Sequence, residues 1–272
     1  NMMTKDGKYP GAYAGAITAA SAIIGPIIPP SIPMVLYALV SDTSIGFLFL
    51  GGVAPGLILG ILLMTMNAWQ ARIHDYPVEE PVPLRELPGI TLRAVPALLM
   101  PVILLVGIYG GVTTPTEAAA LAALYAFLVS TLFYRSVSLR LAYETVRNSA
   151  KSTAAVGFLI AGALAFNYVV TIEQVPNVIR DALGDTELTR ITFLLLVNVI
   201  LLLLGCLLEA NAILLVIVPI FLPTAVSLGI DPVHFGVIMV LNLMIGLLTP
   251  PIGMVLYVLS RVSGIPFERC MS

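Results

Sequence analysis

Charge is what this 272-residue sequence has least of, with 10% of its residues Asp, Glu, Lys or Arg against about 25% in an ordinary soluble domain. A chain so poor in charge cannot cover a water-facing surface, which excludes a soluble enzyme domain. Basic residues are not in surplus either: 13 Lys and Arg face 15 Asp and Glu, a formal charge of -2. The positive face that a phosphate backbone requires is missing, so nucleic acid is not a partner. Two cysteines, Cys206 inside an apolar run and Cys270 near the end, form neither a disulfide framework nor a metal cluster and read as inert. His74 and His234 have no companion at metal-ligand spacing. No HExxH, GxSxG or intramembrane aspartate pair occurs, and Glu209 alone cannot supply paired acid–base chemistry, so the chain is not read as an enzyme and needs no organic cofactor. The first residue is Asn1, no signal-peptide n-region precedes the first apolar segment, and the chain reads as part of a longer one.

What the sequence has is hydrophobic length: 59% apolar residues and a mean hydropathy of +1.02 specify an integral membrane protein. Because about 20 helical residues cross a bilayer core of about 30 Å, the apolar stretches leave room for roughly seven membrane segments. Residues 11–40 would make a helix longer than a bilayer is thick, but Gly25, Pro26, Pro29, Pro30 and Pro33 interrupt it at mid-length. Apolar segments follow at 45–69, 94–109 and 116–134, the last two joined by Gly110-Gly111-Val112-Thr113. A short amphipathic stretch at 138–150 leads to a helix from Ser152 to about Val170. Residues 173–188 are polar. Two apolar arms, 189–204 and 212–226, flank a turn containing Glu209 and Asn211, and a last segment, 233–259, is broken at Pro250 and Pro251.

Charge placement orients these segments. With residues 1–10, 70–93, 135–151 and 259–272 on one side, that side holds 11 of the 13 basic residues, leaving only Arg180 and Arg190 opposite; the positive-inside rule makes the basic side cytoplasmic. The arms at 189–226 must then enter and return. Their turn carries no basic or aromatic interface anchor, which fits a re-entrant hairpin better than two full crossings.

The two interrupted segments match one another. Gly25-Pro26-Ile27-Ile28-Pro29-Pro30 aligns with Gly246-Leu247-Leu248-Thr249-Pro250-Pro251, and after a slip of one residue Met34-Val35-Leu36-Tyr37 aligns with Met254-Val255-Leu256-Tyr257. The first runs outward and the second inward, the signature of an inverted-repeat secondary transporter. Backbone hydrogen bonding gives the chemical reason: an unwound stretch at mid-membrane persists only against protein, water or a bound ion. Each break also creates free carbonyls suited to a cation such as sodium and free amides suited to an anion. Thr18, Ser21, Gly25, Gly246 and Thr249 lie at or just before the breaks and can contribute hydroxyl or carbonyl oxygen. The alternative is that the prolines only kink two helices and the hydroxyls bond back to their own turns.

Other polar residues read as structural or stay open. Thr114, Pro115 and Glu117 read as a capping box, with proton transfer by Glu117 the alternative. Glu209 and Asn211 either support a binding site or cap the returning arm. Asn167, Asn198 and Asn242, single amides in apolar helices, suit interhelical hydrogen bonds. His234 follows Asp231-Pro232 at a helix start.

On these residues the chain resembles the large membrane subunit of the tripartite ATP-independent periplasmic (TRAP) transporters. The resemblance rests on Thr18-Ala19-Ala20-Ser21 through Met34, on Thr114-Pro115-Thr116-Glu117-Ala118-Ala119-Ala120, and on Leu228-Gly229-Ile230-Asp231-Pro232-Val233-His234-Phe235-Gly236-Val237-Ile238-Met239 continuing to Thr249-Pro250-Pro251. It implies an all-α integral membrane protein of the bacterial inner membrane, an inverted-repeat, elevator-type secondary transporter with broken helices and a re-entrant hairpin. It further implies sodium-coupled import of a small organic acid, with a small TRAP membrane subunit and a periplasmic substrate-binding protein as partners. The family's N-terminal portion, including a first hairpin, is expected to be missing here, so any named site is half a site. Sodium positions carry over to Ser21, Gly25, Gly246 and Thr249; Thr18, Pro29, Pro30, Asn211, Pro250 and Pro251 are the candidate substrate positions. The expected organisation is a first broken helix at 1–40, a linking helix and cytoplasmic loop at 41–93, scaffold helices and an amphipathic arm at 94–151, and, at 152–272, a transport-domain helix, the 189–226 hairpin and the second broken helix. Segments 45–69, 94–110 and 116–134 are assigned to the scaffold. The competing reading is a stand-alone sodium- or proton-coupled carboxylate carrier of the same plan.

Overall fold

The computed structural model describes residues 9–76, 82–175 and 189–263. Lys5, Lys8, Arg180, Arg269 and Cys270, along with most of the polar stretch at 173–188, lie outside the described residues. Among the described residues the regular elements are all helices: α1 (Gly11–Ala22), α2 (Ile32–Ser41), α3 (Ile45–Ile73), α4 (Leu87–Tyr109), α5 (Pro115–Leu128, extended by a π-helical turn Val129–Phe133), α6 (Leu139–Ile172), α7 (Arg190–Gly205), α8 (Ala210–Ser227), α9 (Pro232–Gly246) and α10 (Met254–Ser263). Five, namely α3, α4, α5 with its π turn, α6 and α8, are long and apolar enough to cross a membrane. The shorter apolar helices include the halves of the broken segments, which end where the prolines predict.

One boundary differs from the sequence reading. The amphipathic stretch at 138–150 and the helix expected from Ser152 form a single 34-residue helix, α6. No proline or glycine falls between Leu139 and Val156 to stop it, and Arg140 pairs with Glu144 one turn on at 3.1 Å.

The chain divides into two compact units, Asn1–Pro77 with Ala161–Ser272, and Val78–Ile160. In the second, α4 packs against α5. Tyr125 donates to the Pro96 carbonyl at 2.9 Å and Tyr134 to the Arg93 carbonyl at 2.6 Å. The predicted capping box is present: Thr114 Oγ1 accepts from the Glu117 amide, and Glu117 Oε2 accepts from the Thr114 amide at 2.8 Å.

In the first unit α9 is the core helix, with nine of its fifteen residues buried. Asp231 caps it, its carboxylate accepting from the amides of Val233 and His234, so His234 sits in a first turn as the sequence indicates. α7 lies beside α9 in the same direction: Phe193 meets Phe235, Asn198 meets Asn242 and Gly205 meets Gly246, in that order along both helices. α8 leads back along them from Ala210 to the short turn before α9, and it packs against α2. Arg190 Nε donates to the Leu228 carbonyl at 2.7 Å and closes the end of α8. Tyr37 of α2 is fully buried, with its ring over Gly236 and its hydroxyl donating to the Pro232 carbonyl at 2.6 Å.

α3 supports these elements with a face of glycines. A Cβ on Gly51 would meet Val237 at 3.0 Å, one on Gly52 would meet the Ile27 carbonyl and Met34 Cε at 2.5 Å, and one on Gly56 would meet Ile28 at 2.6 Å. Small residues here let the unwound chain after α1 lie directly on α3. Near the other end of α3, Tyr9, Tyr13, His74 and Tyr76 stack together, with Tyr13 and Tyr76 ring centroids 4.3 Å apart, as at a membrane–water interface.

Gly60 continues the same glycine spacing but faces open space. Gly52→Ala is therefore expected to lower stability by about 1–3 kcal/mol through overpacking, while Gly60→Ala changes it by less than about 0.5 kcal/mol. Thermal unfolding of the two purified variants checks this; equal melting temperatures would mean that the first break is not seated on Gly52.

Candidate functional site

The first break begins where α1 runs out. The Ile24 amide reaches back to the Ser21 carbonyl at 3.2 Å, and the Ile27 and Ile28 amides both bond the Ile24 carbonyl at 3.0 Å, so the chain turns tightly for one residue after another. Ser31, buried, stops the turn. Its hydroxyl donates to the Pro26 carbonyl and accepts from the Met34 amide, capping α2. Gly25 is exposed in this turn, Pro29 is buried and Pro30 exposed. Thr18 donates to the Ala14 carbonyl at 2.7 Å and Ser21 to the Thr18 carbonyl at 3.1 Å. The back-bonding alternative is thus realised for the protons, yet each hydroxyl that donates backwards still has oxygen lone pairs to offer. Ser21 also lines a cavity of about 350 Å³ between α1 and α3, together with Ala20, Met64 and Asn67.

The second break repeats the first in outline. The Leu248 amide bonds the Ile245 carbonyl at 3.0 Å, the Thr249 amide bonds the Gly246 carbonyl at 2.9 Å, and the Val255 amide of α10 bonds the Leu247 carbonyl at 3.2 Å across the turn. Thr249 is half-buried and its hydroxyl donates to the Ile245 carbonyl at 2.9 Å. Pro250 and Pro251 are exposed. Both Pro29-Pro30 and Pro250-Pro251 are cis.

Two contacts gather these pieces. Ala19, between Thr18 and Ser21, is buried against Leu256 of α10, with Leu248 of the second break packed beside them. This joins the end of α1 to the second break. Gly246, the last residue of α9, lies on Gly205, the last residue of α7: a Cβ added to Gly246 would stand 2.9 Å from Gly205 Cα. Two helix C-termini therefore end side by side, and their partial negative charges add. Among the described residues no backbone N–H is directed at the Gly205 carbonyl. Gly205 is not among the residues to which the sequence points. Its signal is modest, a glycine closing an apolar arm before Cys206-Leu207-Leu208 much as Gly246 precedes Leu247-Leu248.

Glu209 takes the capping role. Glu209 is the N-cap of α8, its Oε2 accepting from the Ala212 amide at 2.9 Å and its Oε1 from Asn211 Nδ2 at 2.6 Å. This leaves Asn211 Oδ1 buried and without a hydrogen bond among the described residues. Asn167 donates to the Leu215 carbonyl at 3.4 Å and Asn242 to Asn198 at 2.6 Å, the interhelical role expected of such amides. No group of three or more His, Cys, Asp or Glu that could hold a metal occurs among the described residues. What the two breaks offer is neutral oxygen.

A family model described as "Tripartite ATP-independent periplasmic transporter, DctM component" matches residues 1–272. Among curated relatives, a C4-dicarboxylate TRAP transporter large permease protein of Pseudomonas aeruginosa is 45% identical over 86% of this chain and 55% of its own length. A sialic acid TRAP transporter large permease protein of Vibrio cholerae is 45% identical over 87% of this chain and 55% of its own. An isethionate TRAP transporter permease protein of Oleidesulfovibrio alaskensis is 42% identical over 87% and 38% respectively. The chain spans about half the length, or less, of these relatives. They are transporter components and not enzymes, and together with the five helices of crossing length they make this a multi-pass inner-membrane protein. The chain belongs to the DctM component family of the tripartite ATP-independent periplasmic transporters.

Proposed function

We propose that this chain carries half of the translocation site of a sodium-coupled permease that imports a small organic acid. The acid is handed over by a periplasmic binding protein, and a small membrane subunit completes the permease. The observation that carries this reading is the contact of Gly205 with Gly246, which sets two helix C-termini side by side. The Gly205 carbonyl accepts no backbone N–H among the described residues, and the Gly246 carbonyl, which accepts the Thr249 amide, keeps a second lone pair; neutral oxygens at two converging helix C-termini suit a hard monovalent cation such as sodium. The Gly205 carbonyl, the Gly246 end and the Thr249 hydroxyl would hold the ion on this side, and Ser21 and Gly25 would do so at the first break. Bound there, sodium supplies the positive charge that an anionic substrate needs in a low-dielectric site.

The chain's own residues supply the rest. Neither α2 nor α10 has an acidic residue in its first turn, so the positive ends of both helices are not offset by a carboxylate, although Ser31 caps the Met34 amide and the Val255 amide bonds the Leu247 carbonyl. Thr18, Pro29, Pro30, Asn211, Pro250 and Pro251 line the path at the two turns and the hairpin tip, where the unwound backbone exposes groups to a carboxylate. C4-dicarboxylate, sialic acid and isethionate in the relatives' names support an organic acid as the substrate class.

The order of contacts along α7 and α9 supports reading 189–226 as re-entrant. α7 and α9 run the same way and stop together, and α8 returns to the level where α9 begins. If the second break lies inside the bilayer, Gly205 lies there too. α7, at about 24 Å for its 16 residues, is shorter than a bilayer core of about 30 Å. Such a body, carried across the membrane against scaffold helices at 45–69, 94–110 and 116–134 by an elevator movement, would expose the ion and the acid to each side in turn.

Two outcomes are expected. In proteoliposomes containing the permease, its small subunit and the binding protein, Ser21→Ala combined with Thr249→Ala raises the sodium concentration needed for half-maximal uptake by about tenfold, and an unchanged sodium dependence would remove both hydroxyls from the site. Uptake by the large subunit alone would instead favour a stand-alone carrier. Gly246→Ala, which forces a methyl against Gly205 Cα, is expected to abolish sodium stimulation and to lower stability by about 1–3 kcal/mol. Gly205→Ala, whose Cβ would stand 3.3 Å from Gly246 Cα, should do less on both counts. The reverse order in a sodium titration with parallel thermal melts would contradict the geometry.

A further inference from the structure

The contact between α7 and α9 is mostly non-directional. Stacked rings at Phe193 and Phe235, with centroids 6.2 Å apart, can slide, and the glycines at the other end allow close approach without fixing an axial position. Between them lies one directional tie. Asn242, 6% exposed, donates through Nδ2 to Asn198 Oδ1 at 2.6 Å and to the Asn198 backbone carbonyl at 3.0 Å, while Asn198 Nδ2 is anchored on the Leu194 carbonyl at 2.7 Å. Both donor hydrogens of Asn242 are thus spent on a single residue of the neighbouring helix. Its Oδ1 is fully buried and accepts no hydrogen bond among the described residues. A pair of leucines would fill this space without an unpaired acceptor, which costs stability when buried. Packing alone therefore does not account for the amides.

Register does. Asn242 precedes Gly246 by four residues and so shares its face of α9, and Asn198 precedes Gly205 by seven and shares its face of α7. Slipping one helix by a single residue would move its carbonyl end by about 1.5 Å along the other. That is enough to break a shared oxygen cage.

We propose that the Asn198–Asn242 amide pair is a positioning element for the cation site at the ends of α7 and α9. It fixes the register at which the Gly205 and Gly246 carbonyl ends converge, and it rests on the sodium reading given above. The two amides do not touch the ion; they act through the helix ends.

The geometry also orders the variants. Asn242→Leu removes both bonds. Asn198→Ala removes only the side-chain acceptor and leaves the Asn198 carbonyl in place, so it is the milder change. In proteoliposomes holding the complete permease and its binding protein, sodium is titrated at saturating substrate and substrate at saturating sodium, with a thermal melt of each variant. Asn242→Leu is expected to raise half-saturating sodium by about tenfold, equivalent to about 1.4 kcal/mol. Asn198→Ala raises it by a smaller factor, and the substrate half-saturation stays at the wild-type value in both. Should Asn242→Leu fail to insert, Asn242→Ser, which shortens the side chain and loses the same reach, takes its place with the same expectation. Melting temperatures that fall while half-saturating sodium stays at the wild-type value would make the pair merely structural and overturn the proposal, leaving the sodium site standing. A wild-type protein indifferent to sodium would overturn both.

Discussion

A helix that stops inside hydrocarbon leaves carbonyls or amides that no lipid can satisfy, and in the reading proposed above the first unit of this protein is organised around that constraint. α9 stops at Gly246 and α7 at Gly205, and each end is covered by the other. The contact is possible only because neither residue has a side chain. Bringing the ends together satisfies shape but not charge, since two partial negative poles now face the same small volume. In the proposed reading a bound cation relieves that residual field.

Much of the surrounding structure keeps the two unwound turns in place. α3 presents Gly51, Gly52 and Gly56 so that α9 and the chain after Ile24 can lie against its backbone. Tyr37 reaches from α2 to the first residue of α9 and fills the space left by Gly236. Ala19 ties the end of α1 to α10 and Leu248. The halves of the two broken helices therefore pack crosswise: α2, which follows the first break, lies on α9, which precedes the second, and α10, which follows the second, lies on α1, which precedes the first. This reciprocal arrangement is what two related segments of opposite direction would be expected to make.

The helical content, the positions of both breaks, the capping box at Thr114 and Glu117 and the helix start at Asp231 were all legible in the sequence. In each case the signal is local: proline, glycine or a capping side chain acts within one turn of where it stands. The run from Leu139 into the apolar helix changes composition near Ser152 and so reads as two pieces, but it forms one helix because nothing in it breaks a helix. Glu209 could not be assigned from sequence because a cap and a ligand need the same carboxylate at the same place; its bonds to Ala212 and Asn211 decide for the cap. Gly205 was illegible for a different reason. Its role exists only in contact with Gly246, 41 residues away, and a glycine at the end of an apolar arm looks like any other helix stop. The hydroxyls of Thr18, Ser21 and Thr249 fall between these cases, since their positions at the breaks could be read but the direction of their protons could not.

The central claim is that two converging helix ends create a cation site. Its most direct test is the thermal stability of the purified complete permease as sodium replaces choline at constant ionic strength, with and without an organic acid substrate. A ligand at about 100 times its dissociation constant adds roughly 2.7 kcal/mol to the folded state. The structure predicts a sodium-specific rise in melting temperature that is lost in Gly246→Ala. Equal melting in sodium and choline under both conditions would contradict it.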